Sequence, residues 1–365
     1  MTSITTDSPR LNMRSVTMKD IADRCGIHHS TVQRALAGSP EVNAETAERV
    51  LAIAAEMGYN PAHSEAARRL VNRRYGKTPL NQVIALYMPP DFARVTHFQR
   101  VFQGIVDIIN AEQYDLLTIA TDSETLNRPI SRIIQRREVD GAIVFASGTV
   151  VERLRLDDSF ADFPIVKVLV PSPASSGVLI DDFGGGNAAA GHLLDLGHRR
   201  ILHFSETSSY NMIQRVAGYQ HACAQRALDA SACLIDYLPP WRPHMTHKAR
   251  IAEALLAALA AHPGITAILL PNDRLVEAVM PELARLGLRV PEDISLVGFD
   301  DTDPLLNTCG ENMLTTVALP LEDIGQEATR LLIARITGQL TTDRVVTLPV
   351  TLIVRGSTRA IGSGQ

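Results

Sequence analysis

The chain has 365 residues, 45% of them hydrophobic, 21% charged and only 5% aromatic, with a formal net charge of −5. That length suggests two or three domains, and the apolar content is enough for a substantial core and excludes a disordered chain. No apolar run approaches the roughly 20 residues that span a bilayer, so no membrane partner is expected. Residues 1–15, MTSITTDSPRLNMRS, lack the apolar core of a secretory signal and read as a flexible tail, with Met13 as an alternative start. The four cysteines, Cys25, Cys223, Cys233 and Cys309, are scattered with no C-x-x-C pair, as expected of thiols packing as small hydrophobes in a reducing cytoplasm.

Residues 16–61 are expected to form an all-α domain. Met18, Ile21, Ala22 and Cys25 recur at helical spacing, Gly26-Ile27 turns the chain, and Val32, Ala35 and Leu36 form the inward face of a second helix. After the break at Gly38-Ser39-Pro40, a third helix starts at the N-cap Asn43 and buries Val50, Leu51, Ala54 and Met57. Two short helices joined through a glycine-bearing turn and closed by a third make a helix-turn-helix. The second helix leaves His28, His29, Ser30, Thr31, Gln33 and Arg34 outside at or near its N-terminal end, where such a unit meets base edges and phosphates in the major groove. Arginine reads guanine bidentately, and His, Ser and Gln donate or accept at base edges. The competing reading is a solvated face of a small bundle.

Residues 62–79 read as a basic linker. Residues 1–77 hold 11 Lys and Arg against 8 Asp and Glu, whereas the remainder holds 24 against 32. The basic excess concentrates in Ala66–Lys77, where Arg68, Arg69, Arg73, Arg74 and Lys77 stand without an acid. A basic run directly after a helix-turn-helix suits phosphate neutralisation; a solvated linker is the plain alternative.

The N-terminal stretch resembles the DNA-binding domain of the LacI/GalR family of bacterial transcription regulators. The resemblance rests on Thr17-Met18-Lys19-Asp20-Ile21-Ala22, Gly26-Ile27, Thr31-Val32, Arg34-Ala35-Leu36, Gly38-Ser39-Pro40, Gly58-Tyr59 and Pro61. The family usually has Ser at the positions of His28 and Gln33 and Asn at that of Ala37, so an unfamiliar operator is expected. The linker is similar to the family's hinge, which implies that Leu70 wedges into the minor groove. Leu70 lies about two residues further from Tyr59 than is usual.

From Leu80 onward strands and helices alternate. Strands are predicted at 82–87, 114–120, 141–145, 165–170, 177–180, 200–204, 234–237, 267–270 and 294–297. Helices are predicted at 98–110, 126–136, 187–196, 215–228, 248–261 and 275–286. This order means parallel sheets with right-handed crossovers. Some ten strands exceed one such sheet, so an α/β core of two Rossmann-like lobes is expected over residues 80–365. Lobe 1 is set at about 80–181 and 319–346, lobe 2 at about 182–317 and 347–358.

This core resembles the family's periplasmic-binding-protein-like effector domain through Val139-Asp140-Gly141, Leu196-Gly197-His198-Arg199-Arg200-Ile201, Arg215-Val216-Ala217-Gly218-Tyr219, Asn272-Asp273, the run Gly287–Asp301, Leu314-Thr315-Thr316-Val317 and Arg355-Gly356-Ser357-Thr358. In such folds the ligand sits between lobes at the strands' carboxyl ends. The resemblance implies that Arg215, Asn272 and Asp300 hydrogen-bond an effector, a sugar or sugar derivative, and Phe98 could stack on a sugar ring. Asp300 and Asp273 as loop caps, and Arg215 as a structural ion pair, are the bland alternatives. Leu169 and Leu319 stand where sugar-sensing relatives are polar, so a less polar pocket, a partly apolar effector or no small ligand all stay open.

Enzyme readings fail on the residues. Gly184-Gly185-Gly186-Asn187 lacks the Lys-Ser/Thr of a P-loop, adjacent His28 and His29 point apart on a helix, and no G-x-S-x-G occurs. No cofactor or metal is expected. A solute-binding protein would share the core fold but carry no helix-turn-helix. The expectation is a cytoplasmic, nucleoid-associated homodimeric regulator, a repressor by the family's habit, with a tetramer left open. His29, Ser30, Gln33 and Arg34 would read bases, Thr17, Thr31 and Thr46 would hold phosphates, and Lys19 and Arg68 would add to DNA binding.

Overall fold

The computed structural model describes residues 16–36, 39, 41–57, 59, 80–89, 94–120, 132–145, 163–171, 175–204, 210–236 and 246–361. They fall into two compact units, residues 1–82 and 83–365. The N-terminal tail and the basic stretch with Arg68 and Leu70 lie outside the described residues.

The first unit holds α1 (Met18–Cys25), α2 (His29–Leu36) and α3 (Ala44–Glu56). Ile21, Ala22, Val32, Ala35, Val50, Ala54 and Tyr59 form its core. Gly26 ends α1 at φ 65°, and its N–H donates to the Ala22 carbonyl. A Cβ at Gly26 would meet nothing within 4 Å, so handedness rather than space selects glycine there. Leu51 corrects the sequence reading: it is 52% exposed. Val50 and Ala54, four residues apart, define the buried stripe, and Leu51 lies one helical step of about 100° off it.

The second unit contains two six-stranded sheets. Its strands are β1 (Val83–Met88), β2 (Asp115–Ala120), β3 (Gly141–Val144), β4 (Ile165–Val168), β5 (Ser176–Ile180), β6 (Ile201–His203), β7 (Leu234–Asp236), β8 (Ala267–Leu269), β9 (Ser295–Asp300), β10 (Thr315–Ala318), β11 (Val345–Leu348) and β12 (Thr351–Ile353). The first sheet runs β11-β5-β4-β3-β1-β2 and the second β12-β10-β9-β8-β6-β7. Every pairing is parallel except β10 with β12. Strands β1, β3, β4, β5 and β9 are nearly continuous buried apolar runs, as a sheet covered on both faces requires.

The helices of this unit are α4 (Thr96–Ala111), α5 (Arg132–Gln135), α6 (Asp182–Asp195), α7 (Tyr210–Gln225), α8 (Ala230–Cys233), α9 (His247–Ala261), α10 (Val276–Arg285) and α11 (Leu321–Ile336). α4 packs on α11 over the first sheet, and α6 packs on α7 beside the second. The chain therefore passes between sheets at Ile180–Asp182, Ala318–Leu321 and Leu348–Thr351.

Several boundaries depart from the sequence reading. The helix expected from Asn187 begins at Asp182, because the Asp181 carboxylate accepts the Gly184 N–H at 2.7 Å and caps it. The glycine triplet lies inside this helix, where it serves close packing: a Cβ on Gly186 would fall 2.3 Å from the Arg215 carbonyl oxygen, and one on Gly218 2.2 Å from that of Phe183. α7 begins at Tyr210, so Arg215 sits in its second turn and does not open it. The strand expected to reach Val170 stops at Val168, and Leu169 turns out of it with φ 64°. Of the helix expected over Leu126–Arg136, Arg132–Gln135 is helical, and residues 126–131 lie outside the described residues. The segment after Leu275 starts with a 3-10 turn, Asp273–Leu275. β10, α11, β11 and β12 are additions to the expected elements. Cys223 and Cys233 are buried as expected, but Cys309 is exposed.

Candidate nucleic-acid interface and ligand pocket

On the first unit, Val32 and Ala35 anchor α2 to the core, which leaves its N-terminal polar side chains outward. Thr17, Lys19, His29 and Arg34 are exposed, and Ser30, Thr31, Gln33 and Thr46 half-buried. His28 takes the capping role that a serine would have: its Nδ1 accepts the Ser30 N–H at 3.3 Å and lies 2.8 Å from Ser30 Oγ. Arg34 Nε is 3.5 Å from Glu41 Oε2, with both side chains more than half exposed, a solvent-screened pair that a phosphate or base can displace.

Thr17, expected to hold a phosphate, also caps α1. Its hydroxyl donates to Asp20 Oδ2 at 2.6 Å and accepts the Asp20 N–H at 3.3 Å, while its own N–H donates to Asp20 Oδ2 at 2.7 Å. This is a capping box on α1. The Thr-x-x-Asp spacing carried that signal and the sequence reading passed over it.

In the second unit a cavity of about 410 Å³ is lined from both sheets, within the usual range for a small-molecule site. Phe98, Arg215, Asn272 and Asp300, four positions singled out separately in the sequence, all line it, as do Leu169 and Leu319. Phe98 meets Phe145 edge to face at 5.8 Å, and the His97 ring lies 3.9 Å from Phe98.

Arg215 is the pocket's fixed cation. Its Nε donates to Asp182 Oδ1 at 2.7 Å, its Nη1 donates to the Pro271 carbonyl at 2.6 Å, and its guanidinium lies 3.5 Å from the Phe299 ring centre. Asn211 Nδ2 donates to Asp182 Oδ2 at 2.9 Å and also lines the cavity. Asp182 and Asn211 escaped the sequence reading because both helices were expected to begin later. Burial holds Asp182 above its ordinary value even against Arg215. Burial likewise pushes Asp300 up to about 7, with Arg215 opposing. Asp300 also has φ 109°, a backbone setting unusual for a non-glycine residue at a strand end.

Asp273 is not a pocket residue. It is 1% exposed and accepts from Thr316 Oγ1 at 2.7 Å and from the Thr302 N–H at 3.1 Å, tying the turn after β8 to strand β10 and to the loop after β9. Burial pushes it up to about 8. Its neighbour Asn272 has a buried Oδ1 that accepts no hydrogen bond. Among the described residues, no group of three His, Cys, Asp or Glu side chains could hold a metal ion.

Residues 17–62 match the family model described as bacterial regulatory proteins, lacI family, and residues 190–358 match a periplasmic binding protein-like domain. The transcriptional regulator CelR of Thermobifida fusca is 28% identical over 94% of this chain and 98% of its own. Catabolite control protein A of Priestia megaterium is 28% identical over 94% of this chain and 100% of its own. The repressor CytR of Escherichia coli is 29% identical over 95% of this chain and 97% of its own. Among solved structures, a lac repressor dimer bound to operator and the anti-inducer ONPF has a TM-score of 0.64 at 22% identity, covering 95% of this chain and 100% of that one. A ribose-bound LacI family regulator from Enterococcus faecium has a TM-score of 0.62 at 26% identity, covering 76% of this chain and 99% of that one.

Proposed function

The chain belongs to the lacI family of bacterial regulatory proteins, and on that basis we propose that it is a cytoplasmic transcriptional repressor, active as a dimer on a pseudo-palindromic operator and controlled by a small carbohydrate-related effector. A two-fold dimer presents two heads to two half-sites. In each head His29, Ser30, Gln33 and Arg34 read base edges. Thr31, Thr46, Lys19 and Arg68 contact the backbone, Thr17 adds its contact from the capped end of α1, and Leu70 wedges into the minor groove. The effector occupies the 410 Å³ cavity against Phe98, Arg215, Asn272 and Asp300 and couples to DNA affinity by about 1–3 kcal/mol through the relative setting of the two lobes.

One observation carries the DNA-binding part: the polar N-terminal face of α2 stands outward from a helix whose opposite side, Val32 and Ala35, is fixed in the core. The test is fluorescence anisotropy of the full chain on its own promoter DNA. Arg34→Ala should weaken specific binding by about 1–3 kcal/mol and leave non-specific binding nearly unchanged. Equal binding by wild type and variant would sink the reading.

A further inference from the structure

The helix-turn-helix head is acidic for a unit that meets DNA. Residues 16–61 hold four Lys and Arg, namely Lys19, Arg24, Arg34 and Arg49, against six Asp and Glu. Three of the four cations are already engaged. Arg24 Nη2 lies 3.3 Å from Glu56 Oε1, Arg49 Nη2 donates to the Cys25 carbonyl at 3.1 Å, and Arg34 Nε lies 3.5 Å from Glu41 Oε2. The sequence-independent part of DNA affinity comes from cations that neutralise phosphates, so this head contributes little of it.

Glu41 is the acid that bears on base reading. The turn after α2 sets its place: the Ser39 N–H donates to the Arg34 carbonyl at 2.8 Å, and the Ser39 hydroxyl accepts the Glu41 N–H at 3.4 Å. Glu41 therefore stands beside the base-reading arginine of α2, two residues before Asn43, the N-cap of α3. Its side chain is 68% exposed, and among the described residues Arg34 is its one ion-pair partner.

Such a pair discriminates between kinds of acceptor. A phosphate that takes Arg34 leaves the Glu41 carboxylate unneutralised beside a second anion, so the exchange gains little. A guanine edge takes the guanidinium with two hydrogen bonds, at O6 and N7, and adds no charge. A cost built against the wrong complex raises specificity as surely as a better contact in the right one.

We propose that Glu41 is a specificity-determining residue, an internal competitor that keeps Arg34 off phosphates and releases it to guanine. This rests on the DNA-binding reading above and adds to it a residue that lowers affinity while raising selectivity.

The experiment is fluorescence anisotropy of the full chain on promoter DNA and on a scrambled duplex of equal length, over a series of salt concentrations. Glu41→Gln should tighten binding to the scrambled duplex by about three- to tenfold and steepen its log–log salt slope by about 0.9, one added phosphate contact. Promoter binding should tighten by less than about threefold, so the specificity ratio falls. In an Arg34→Ala background the same substitution should change scrambled-duplex binding by less than about twofold. Unchanged scrambled-duplex affinity and slope in Glu41→Gln, or a gain kept in full without Arg34, would overturn the proposal. So would weaker promoter binding by Glu41→Gln, because Glu41 would then itself accept from a cytosine amino group. Each of these results leaves the DNA-binding reading standing, whereas a wild-type chain that binds promoter and scrambled duplex equally would overturn both.

Discussion

Asp182 Oδ1 accepts from Arg215 Nε at 2.7 Å, and both side chains are at least nine-tenths buried. The pair joins the first turn of α6 to the second turn of α7, and Asn211 completes it on the other carboxylate oxygen. Removing one partner of a buried pair leaves an uncompensated charge, which costs about 3–5 kcal/mol. Asp182→Ala should therefore lower the stability of the second unit by that order, read as a shift in its urea midpoint. A loss below about 1 kcal/mol would mean that Arg215 is satisfied by the Pro271 carbonyl and the Phe299 ring alone.

The buried acids set a pH dependence whose sign follows from linkage. Burial raises Asp273 to about 8 and Asp300 to about 7 from an ordinary 3.8. Between those limits the native chain holds protons that the unfolded chain has released, so stability falls as pH rises. His192, His198 and His203 act oppositely: burial lowers each from 6.5, so the unfolded chain takes up protons that the native one refuses. Their contribution is complete by about pH 6.5 and is lost below it. Urea midpoints of the second unit should therefore decline from about pH 6.5 to about pH 8.5. Asp273→Asn keeps an acceptor for Thr316 and should flatten the decline. A midpoint that climbs over that range would contradict the assignment.

Long elements with one strong period were legible, and short or context-dependent ones were not. α4 and α9 lie within two residues of their expected bounds because their apolar stripes run for three turns or more. α6 began five residues early because Gly184, Gly185 and Gly186 read as a loop, whereas the tight crossing with α7 demands them inside a helix. β11 and β12 are short and half-exposed, so they lack the buried apolar run that marked the central strands. Arg215, Asn272, Asp300 and Phe98 were picked by their places after strands or by resemblance, and they line one cavity. Asp182 was hidden because nothing in its neighbourhood shows that an arginine 33 residues later packs against it. Leu51 failed for a simpler reason: helical spacing restricts a stripe to certain positions, and an apolar residue beside the stripe stays in water.

The crossing helices carry a sharp steric prediction. A Cβ on Gly104 would stand 2.0 Å from the Glu322 carbonyl oxygen, and one on Gly325 2.1 Å from that of Val101. Both obstacles are backbone, so the helices must separate to admit a methyl group. Gly104→Ala should then cost about 1–3 kcal/mol or more, seen as a lowered thermal midpoint. Gly287→Ala makes the comparison, since a Cβ there meets nothing within 4 Å and only its φ of 73° opposes the change. It should cost about 1–2 kcal/mol. A reversed order would show that helix spacing yields more easily than turn handedness.

His28 offers a test of how the reading helix is held. Its Nδ1 accepts the Ser30 N–H at 3.3 Å, an imidazole standing where the family usually has serine. His28→Ala removes the cap, which is worth about 0.5–2 kcal/mol, and frees the Ser30 hydroxyl. The Ser30 amide should then exchange faster with solvent, and promoter affinity should drop because a frayed first turn presents His29, Ser30 and Gln33 less often in one arrangement. His28→Ser should restore both properties, since a serine hydroxyl accepts the same amide. Unfolding of the second unit should be the same in all three proteins. If His28→Ala left amide exchange and DNA binding unaltered, the imidazole would be a bystander and α2 would depend on Val32 and Ala35 alone.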